Sequence, residues 1–172
     1  MDDGTEVRLR TGDTVRIRQI RSTDAVELQR AFALMSEESQ YQRFLTGMPR
    51  LTDSQAAYFT AVDHVDHVAY VAHATQDASY IIGVARFIRY ASAPDEAELA
   101  ITIADSWHGL GLGTVMLRQL CERAGEVGVR RLRAEMMPDN EGMLRLLRSA
   151  GMVDETQEDG RVVGHLELAR GH

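Results

Sequence analysis

The first twenty residues alternate. In "EVRLRTGDTVRIRQI" the apolar residues Val7, Leu9, Val15 and Ile17 fall in phase around a Gly12-Asp13 turn, which predicts a two-stranded hairpin with one buried face. The period then lengthens. In "STDAVELQRAFALM" residues Ala25, Leu28, Phe32 and Met35 share one side of a helix, with Asp24 and Glu27 at capping-box spacing, and "SEESQYQRFL" continues helically until Gly47 and Pro49 break it. "TDSQAAYFTAV" starts again with Thr52 as N-cap. Three runs rich in β-formers follow, "HVAYVAHAT", "YIIGVARFIRY" and "EAELAITIA", separated by "QDAS" and "ASAPD". Linkers this short predict an antiparallel meander, since parallel neighbours need a long crossover. From Thr114 to Val127 the apolar residues Val115, Leu117, Leu120, Cys121 and Ala124 return to helical spacing, which Gly128 ends. "RRLRAEMM" reads as a strand, "PDNEGMLRLLRSAG" as a helix ending at Gly151, and "GRVVGHLELA" as a last strand whose exposure would permit a homodimer. The strand, helix and strand from about Glu96 to Met137 predict one parallel crossover beside the antiparallel series, hence a mixed α/β fold.

Composition narrows the function classes. The 172 residues, 44% of them hydrophobic, suit one domain over 1-172. A net charge of -7 speaks against nonspecific nucleic-acid binding, which cations drive, and all 19 basic residues are arginine. No apolar run approaches the ~18 residues of a membrane span, and Met1 to Leu9 is charged rather than signal-like. A cytoplasmic protein without membrane partners is expected. Cys121 stands alone, so it forms no internal disulfide, and no Cys/His cluster has zinc spacing. "DHVDH" (Asp63, His64, Asp66, His67) reads as a surface loop, and no metal is expected.

The segment that calls for chemistry is "HGLGLGTVML", His108 to Leu117. Glycines are costly inside a helix. Placed between a strand and a helix start, they expose unpaired backbone N–H groups beside the positive end of a helix dipole, which makes an anion site. A P-loop needs a lysine, and the chain has none. A dinucleotide fingerprint needs G-x-G-x-x-G, whereas Gly109, Gly111 and Gly113 alternate.

The spacing resembles the acyl-CoA loop of the GNAT N-acetyltransferases, with His108 where Gln or Arg is usual. Downstream, "NEGMLRLLRSAGM" is similar to the family's Asn-to-Gly-Phe segment, with Asn140 in register and Met152 in place of Phe. The resemblance covers roughly Glu6 to Leu168 and is greatest to bacterial protein lysine acetyltransferases that modify acyl-CoA synthetases. It implies a single GNAT-type domain with a mixed, mostly antiparallel sheet flanked by helices. Acetyl-CoA as acyl donor would be held by His108, Gly109, Leu110, Gly111, Leu112, Gly113 and Thr114, by Asn140, and by backbone groups of Ile101 and Ile103. A lysine-type amine, with a pKa of ~10.4, needs a base at neutral pH. The resemblance assigns that role to Glu98, with Glu96 in reserve, and strand alternation puts Glu96, Glu98 and Ala100 on one face. A backbone N–H near Ile103 would stabilise the oxyanion. Leu147 stands where many relatives carry a Tyr general acid, so water would serve the leaving thiolate. Arg130, Arg131 and Arg133 read as a solvated strand edge, with the CoA 3′-phosphate as the alternative. The acceptor stays open between a protein lysine and a small amine, and a non-catalytic acetyl-CoA sensor is the third class.

Overall fold

The computed structural model describes residues 3–45 and 50–169. Strands β1 (Thr5–Arg8) and β2 (Thr14–Gln19) form the expected hairpin, with Val7 opposite Val15 and both Val15 and Ile17 fully buried. Helices α1 (Ala25–Ala33), α2 (Glu37–Phe44) and α3 (Asp53–Thr60) follow. The break assigned to Gly47 and Pro49 lies outside the described residues. An earlier break separates α1 from α2, which the apolar period had read as continuous. There the Ser36 side chain caps α2, accepting from the Ser39 N–H at 3.1 Å, while the Asp105 carboxylate takes the Ser36 N–H at 2.7 Å. Two oxygens brought to one turn outcompete the helical bonds that would have run through it.

The Asp24–Glu27 capping box does not form. Asp24 accepts from the Arg21 N–H and pairs with both terminal nitrogens of Arg18 at 2.8 Å, and Glu27 reaches His73 Nε2 at 3.0 Å. Paired charges satisfy a buried carboxylate better than one helix N–H does. The box at Thr52 and Gln55 does form, at the start of α3.

Strands β3 (His67–Ala74), β4 (Gly83–Tyr90) and β5 (Ala93–Ile103) make the antiparallel meander. Helix α4 (Leu112–Glu126) crosses over to β6 (Arg131–Met136), parallel to β5, and α5 (Glu141–Ser149) follows. Two strands close the chain, β7 (Asp154–Glu158) and β8 (Arg161–Glu167). The sheet order is β1-β2-β3-β4-β5-β6-β8-β7. Strand β8 is therefore enclosed, and the exposed neighbour after the last helix is β7. Sequence patterning overlooked β7 because "DETQE" is almost wholly exposed and has no apolar alternation. The signal was in its turn: Asp159 and Gly160 both have positive φ, the conformation that Asp-Gly favours in a tight hairpin.

The sheet has two differently covered faces. Ala85, Phe87, Ala97 and Leu99 point toward α4, where Leu112, Met116, Leu117 and Leu120 join them in the larger core. A Cβ on Gly83 would lie 2.8 Å from Met116 Sδ, so this glycine lets α4 cross close to β4. On the other face Ile20, Leu28, Phe32, Leu51 and Ala56 pack with Ala69, Val71 and Ile81 beneath α1 and α3.

Candidate active site

Strand β5 outruns its parallel neighbour. Their register pairs Glu96 through Leu99 with Arg131 through Ala134 and stops there, while β5 continues to Ile103. The Ala104 N–H donates to the Ile82 carbonyl and the Arg130 N–H to that of Asp95, which sets the phase of the ladder. Even-numbered residues of β5 turn their backbone groups to β4, and odd-numbered ones turn theirs toward β6. Past Leu99 the odd-numbered groups, those of Ile101 and Ile103, face a gap. A cleft of about 200 Å³ occupies it, lined by Ala100 and Ile101, by Glu135 and Met136, by Asn140 and Met143, and by the end of α2 from Gln42 to Leu45.

The glycine loop lies at the far end of β5. Gly109 (φ 74°) and Gly111 (φ 90°) adopt the left-handed conformation, and a Cβ on either would meet nothing within 4 Å. Their φ, not crowding, demands glycine. Gly113 differs: its φ is ordinary, and a Cβ would make ordinary van der Waals contact with Leu146 at 3.4 Å and Ile103 at 3.8 Å, so it lies where α4 meets α5 and β5. Helix α4 begins at Leu112, two residues before the position expected from its pattern. Gly111 is its N-cap and offers no side chain to the first turn. The N–H groups of Leu112, Gly113 and Thr114 therefore sit at the positive end of the helix without a capping side chain. Leu112 is buried and Leu110 packs on the core, which turns the loop's side chains inward and its backbone outward.

His108 closes this loop onto the strand. Its Nε2 donates to the Ile103 carbonyl at 2.8 Å, a bond that accounts for a histidine where the motif usually has Gln or Arg. Asn140 caps α5, accepting from the Met143 N–H at 3.1 Å, and lines the cleft. Gln42 on α2 donates to Asp139 at 3.0 Å, joining the two sides of the cleft.

Glu98 is exposed, on the face of β5 toward α1–α3, and lines the same cleft. Across the sheet it pairs in register with Arg133, whose guanidinium is held by Glu135 and Glu158. Among the described residues Glu98 enters no ion pair, and the cation it acts on through space is Arg43. Leu147 is fully buried and does not reach the cleft. Burial pushes the Cys121 thiol up to about 11, too weakly acidic to supply a thiolate at neutral pH. Arg131, on a strand paired on both sides, is occupied by Asp154 and Glu167. In "DHVDH" Asp63 accepts the N–H groups of Val65, Asp66 and His67, and those bonds hold its carboxyl below the usual carboxylate range. Among the described residues no group of three His, Cys, Asp or Glu side chains is placed to hold a metal, and no helix is long and apolar enough to cross a membrane.

A strand-edge gap, an outward-facing glycine loop and an uncapped helix start now stand on one face of one crossover. The model of the acetyltransferase (GNAT) domain family matches residues 14–153. The chain belongs to the GNAT acetyltransferase family. Acetyltransferases of this family use acetyl-CoA. Acetyltransferase Pat from Mycolicibacterium smegmatis is 29% identical over 163 residues, covering 94% of this chain and 48% of Pat. The chain thus spans about half the length of that relative. The GNAT domain of S. lividans PAT superposes with a TM-score of 0.88 at 33% identity, covering 95% of this chain and 96% of that one. The Salmonella typhimurium protein yncA, described with its cofactor acetyl-CoA, shares the fold with a TM-score of 0.74 at 17% identity, covering 91% and 95%.

Sequence reasoning did not single out Arg43 or Arg86, which the fold brings to the face where Glu98 lies. Each is one arginine among 19, and no local pattern marks either.

Proposed function

We propose that this GNAT domain transfers acetyl from acetyl-CoA directly to a lysine side-chain amine of a protein, with a folded acyl-CoA synthetase as the acceptor to test first. The observation that carries the reading is Glu98: an exposed carboxylate, in no ion pair among the described residues, lining the cleft where β5 and β6 part. The likeness to proteins named Pat supports a protein acceptor.

Acetyl-CoA supplies an activated thioester. The chain supplies positioning and charge. N–H groups at the start of α4 and in the loop from Gly109 to Gly111 would hold the pyrophosphate, with the helix dipole adding to their attraction. Open-edge backbone groups of Ile101, with the Ile103 N–H whose own carbonyl His108 holds, would bond the pantetheine arm, and an N–H there would stabilise negative charge on the thioester oxygen. Asn140 lies on the opposite wall. Glu98 would take the amine proton, directly or through water, freeing the lone pair that attacks the carbonyl carbon. The amide C–N bond forms as the C–S bond breaks, and water protonates the leaving thiolate because Leu147 offers no acid.

The test is CoA release from acetyl-CoA by the purified protein, offered folded acyl-CoA synthetases in one series and a panel of small amines in another. Release with a synthetase, together with one acetyl mass on a lysine, is the expected result. Release with small amines alone would replace the protein acceptor with a small one.

A further inference from the structure

The face of the sheet carrying Glu98 also holds two guanidinium groups that have no carboxylate partner among the described residues. Arg86 projects from β4 opposite Ala100 and is 3% exposed. One terminal nitrogen donates to the Phe59 carbonyl at 2.9 Å and to His67 Nε2 at 3.0 Å, while its Nε is buried with no hydrogen-bond partner. His67 accepts that bond as a neutral ring: burial, reinforced by the Arg86 charge, pushes its pKa down to about 4. Arg43 arrives from α2. Its guanidinium lies 4.5 Å from the Phe44 ring centre and 5.7 Å from that of Phe59, and Arg86 sits 4.6 Å over the same Phe59 ring. The two cations repel, and burial pushes Arg43 down to about 10 and Arg86 to about 9, which leaves both charged at neutral pH.

Buried cations are ordinarily paired, because desolvation without compensation is costly. Here the aromatic faces offset only part of that cost. Among the described residues Glu98 acts on Arg43 from beyond ion-pair distance, and no carboxylate pairs with Arg86. Both arginines line an apolar pocket on this face, with Leu28, Phe32, Ala100 and Thr102. That pocket and the β5–β6 cleft share Arg43, Phe44 and Ala100. A chain longer than acetyl, passing the small side chain of Ala100, would enter apolar walls that end in two guanidinium groups.

We propose that Arg43 and Arg86 form a subsite for a carboxylate at the far end of the transferred acyl group, so that the domain accepts short ω-carboxyacyl-CoA donors such as succinyl-CoA. This rests on the donor cleft proposed above. The planar donor fork of a guanidinium matches a carboxylate, and a second guanidinium beside it makes the anion the missing partner of the pair. The transfer itself is unchanged: the amine forms the C–N bond, the C–S bond breaks, the amine proton leaves through Glu98 and CoA leaves as the thiol. The distal carboxylate is bound and takes no part in bond exchange.

Calorimetric binding of acetyl-, butyryl- and succinyl-CoA to the purified protein tests the subsite without an acceptor. Butyryl-CoA matches succinyl-CoA in length and carries a methyl in place of the carboxylate. Succinyl-CoA is expected to bind at least about tenfold tighter than butyryl-CoA, and Arg43→Gln to bring that ratio close to one. Arg86→Met should do the same, and since Arg86 is buried its circular dichroism is checked first; Arg43, half-buried on α2, carries the test if that variant unfolds. Equal binding of butyryl- and succinyl-CoA by the wild type would overturn the subsite and leave the acetyltransferase reading intact. Failure of all three esters to bind would instead remove the donor cleft on which both stand. In turnover with acetyl-CoA, an Arg43→Gln defect that appears only when the acceptor amine bears a carboxylate would move the anion to the acceptor, overturning the donor assignment.

Discussion

The two faces of β5 do different work with different parts of the chain. Toward α4 and the glycine loop the site is made of backbone: the open edge at Ile101 and Ile103, the left-handed Gly109 and Gly111, and the uncapped start of α4. Toward α1, α2 and α3 it is made of side chains: Glu98, and Arg43 and Arg86 over the Phe59 ring. A backbone cradle depends on conformation and so can be written in a few consecutive residues. A side-chain pocket depends on groups far apart in the chain, and it is the half free to differ between proteins of one fold.

Replacing Glu98 with Gln tests that division most severely. It should lower kcat about 10²- to 10⁴-fold, the range of a general base, while binding of acetyl-CoA by calorimetry stays within error. A parallel loss of donor binding would show that the faces are not separable. Next comes Leu147→Tyr, which puts the missing hydroxyl at the motif's position. Because Leu147 is fully buried, the larger ring should overpack the core by about 1–3 kcal/mol, seen as a lower urea midpoint, without raising turnover. Higher turnover would place this residue at the cleft after all. Gly111→Ala forces a side chain into φ 90°, at about 1–2 kcal/mol, and should weaken acetyl-CoA binding more than it changes the KM of the acceptor.

The smallest effect concerns His67, on the side-chain face. Its folded pKa lies below the usual 6.5, at about 4, so the unfolded chain binds more protons between those values. Stability should therefore fall as pH drops from about 6.5 toward 4. One pKa unit is worth about 1.4 kcal/mol. Partial exposure of the ring reduces the total to about 1–2 kcal/mol. Denaturant midpoints across that window should flatten in His67→Gln.

Much of the first face was readable in advance. The G-x-G-x-G spacing, the strand before it and the helix after it anticipated the left-handed turn that opens α4, and alternation placed Glu98 opposite Ala97 and Leu99. The departures are also informative. His108 occupies a motif position through a bond to Ile103 that no spacing rule reveals. Met152, in place of the usual Phe, packs against Gly164 of β8, a contact that pattern could not supply. The α1–α2 break was missed because its cause, Asp105, lies 69 residues away. β7 was missed because an exposed strand carries no apolar period.

The sequence by itself determined the first hairpin, the antiparallel meander, the single parallel crossover and the glycine turn before α4. These are local properties, set by side-chain period and by which residues tolerate positive φ. Only the tertiary structure decided that β6 should leave β5 after Leu99, opening an edge, and that Arg43 of α2 and Arg86 of β4 should meet over one phenylalanine ring. Sheet divergence and buried charge are products of packing between distant segments, and their energies depend on neighbours that no short stretch of sequence contains.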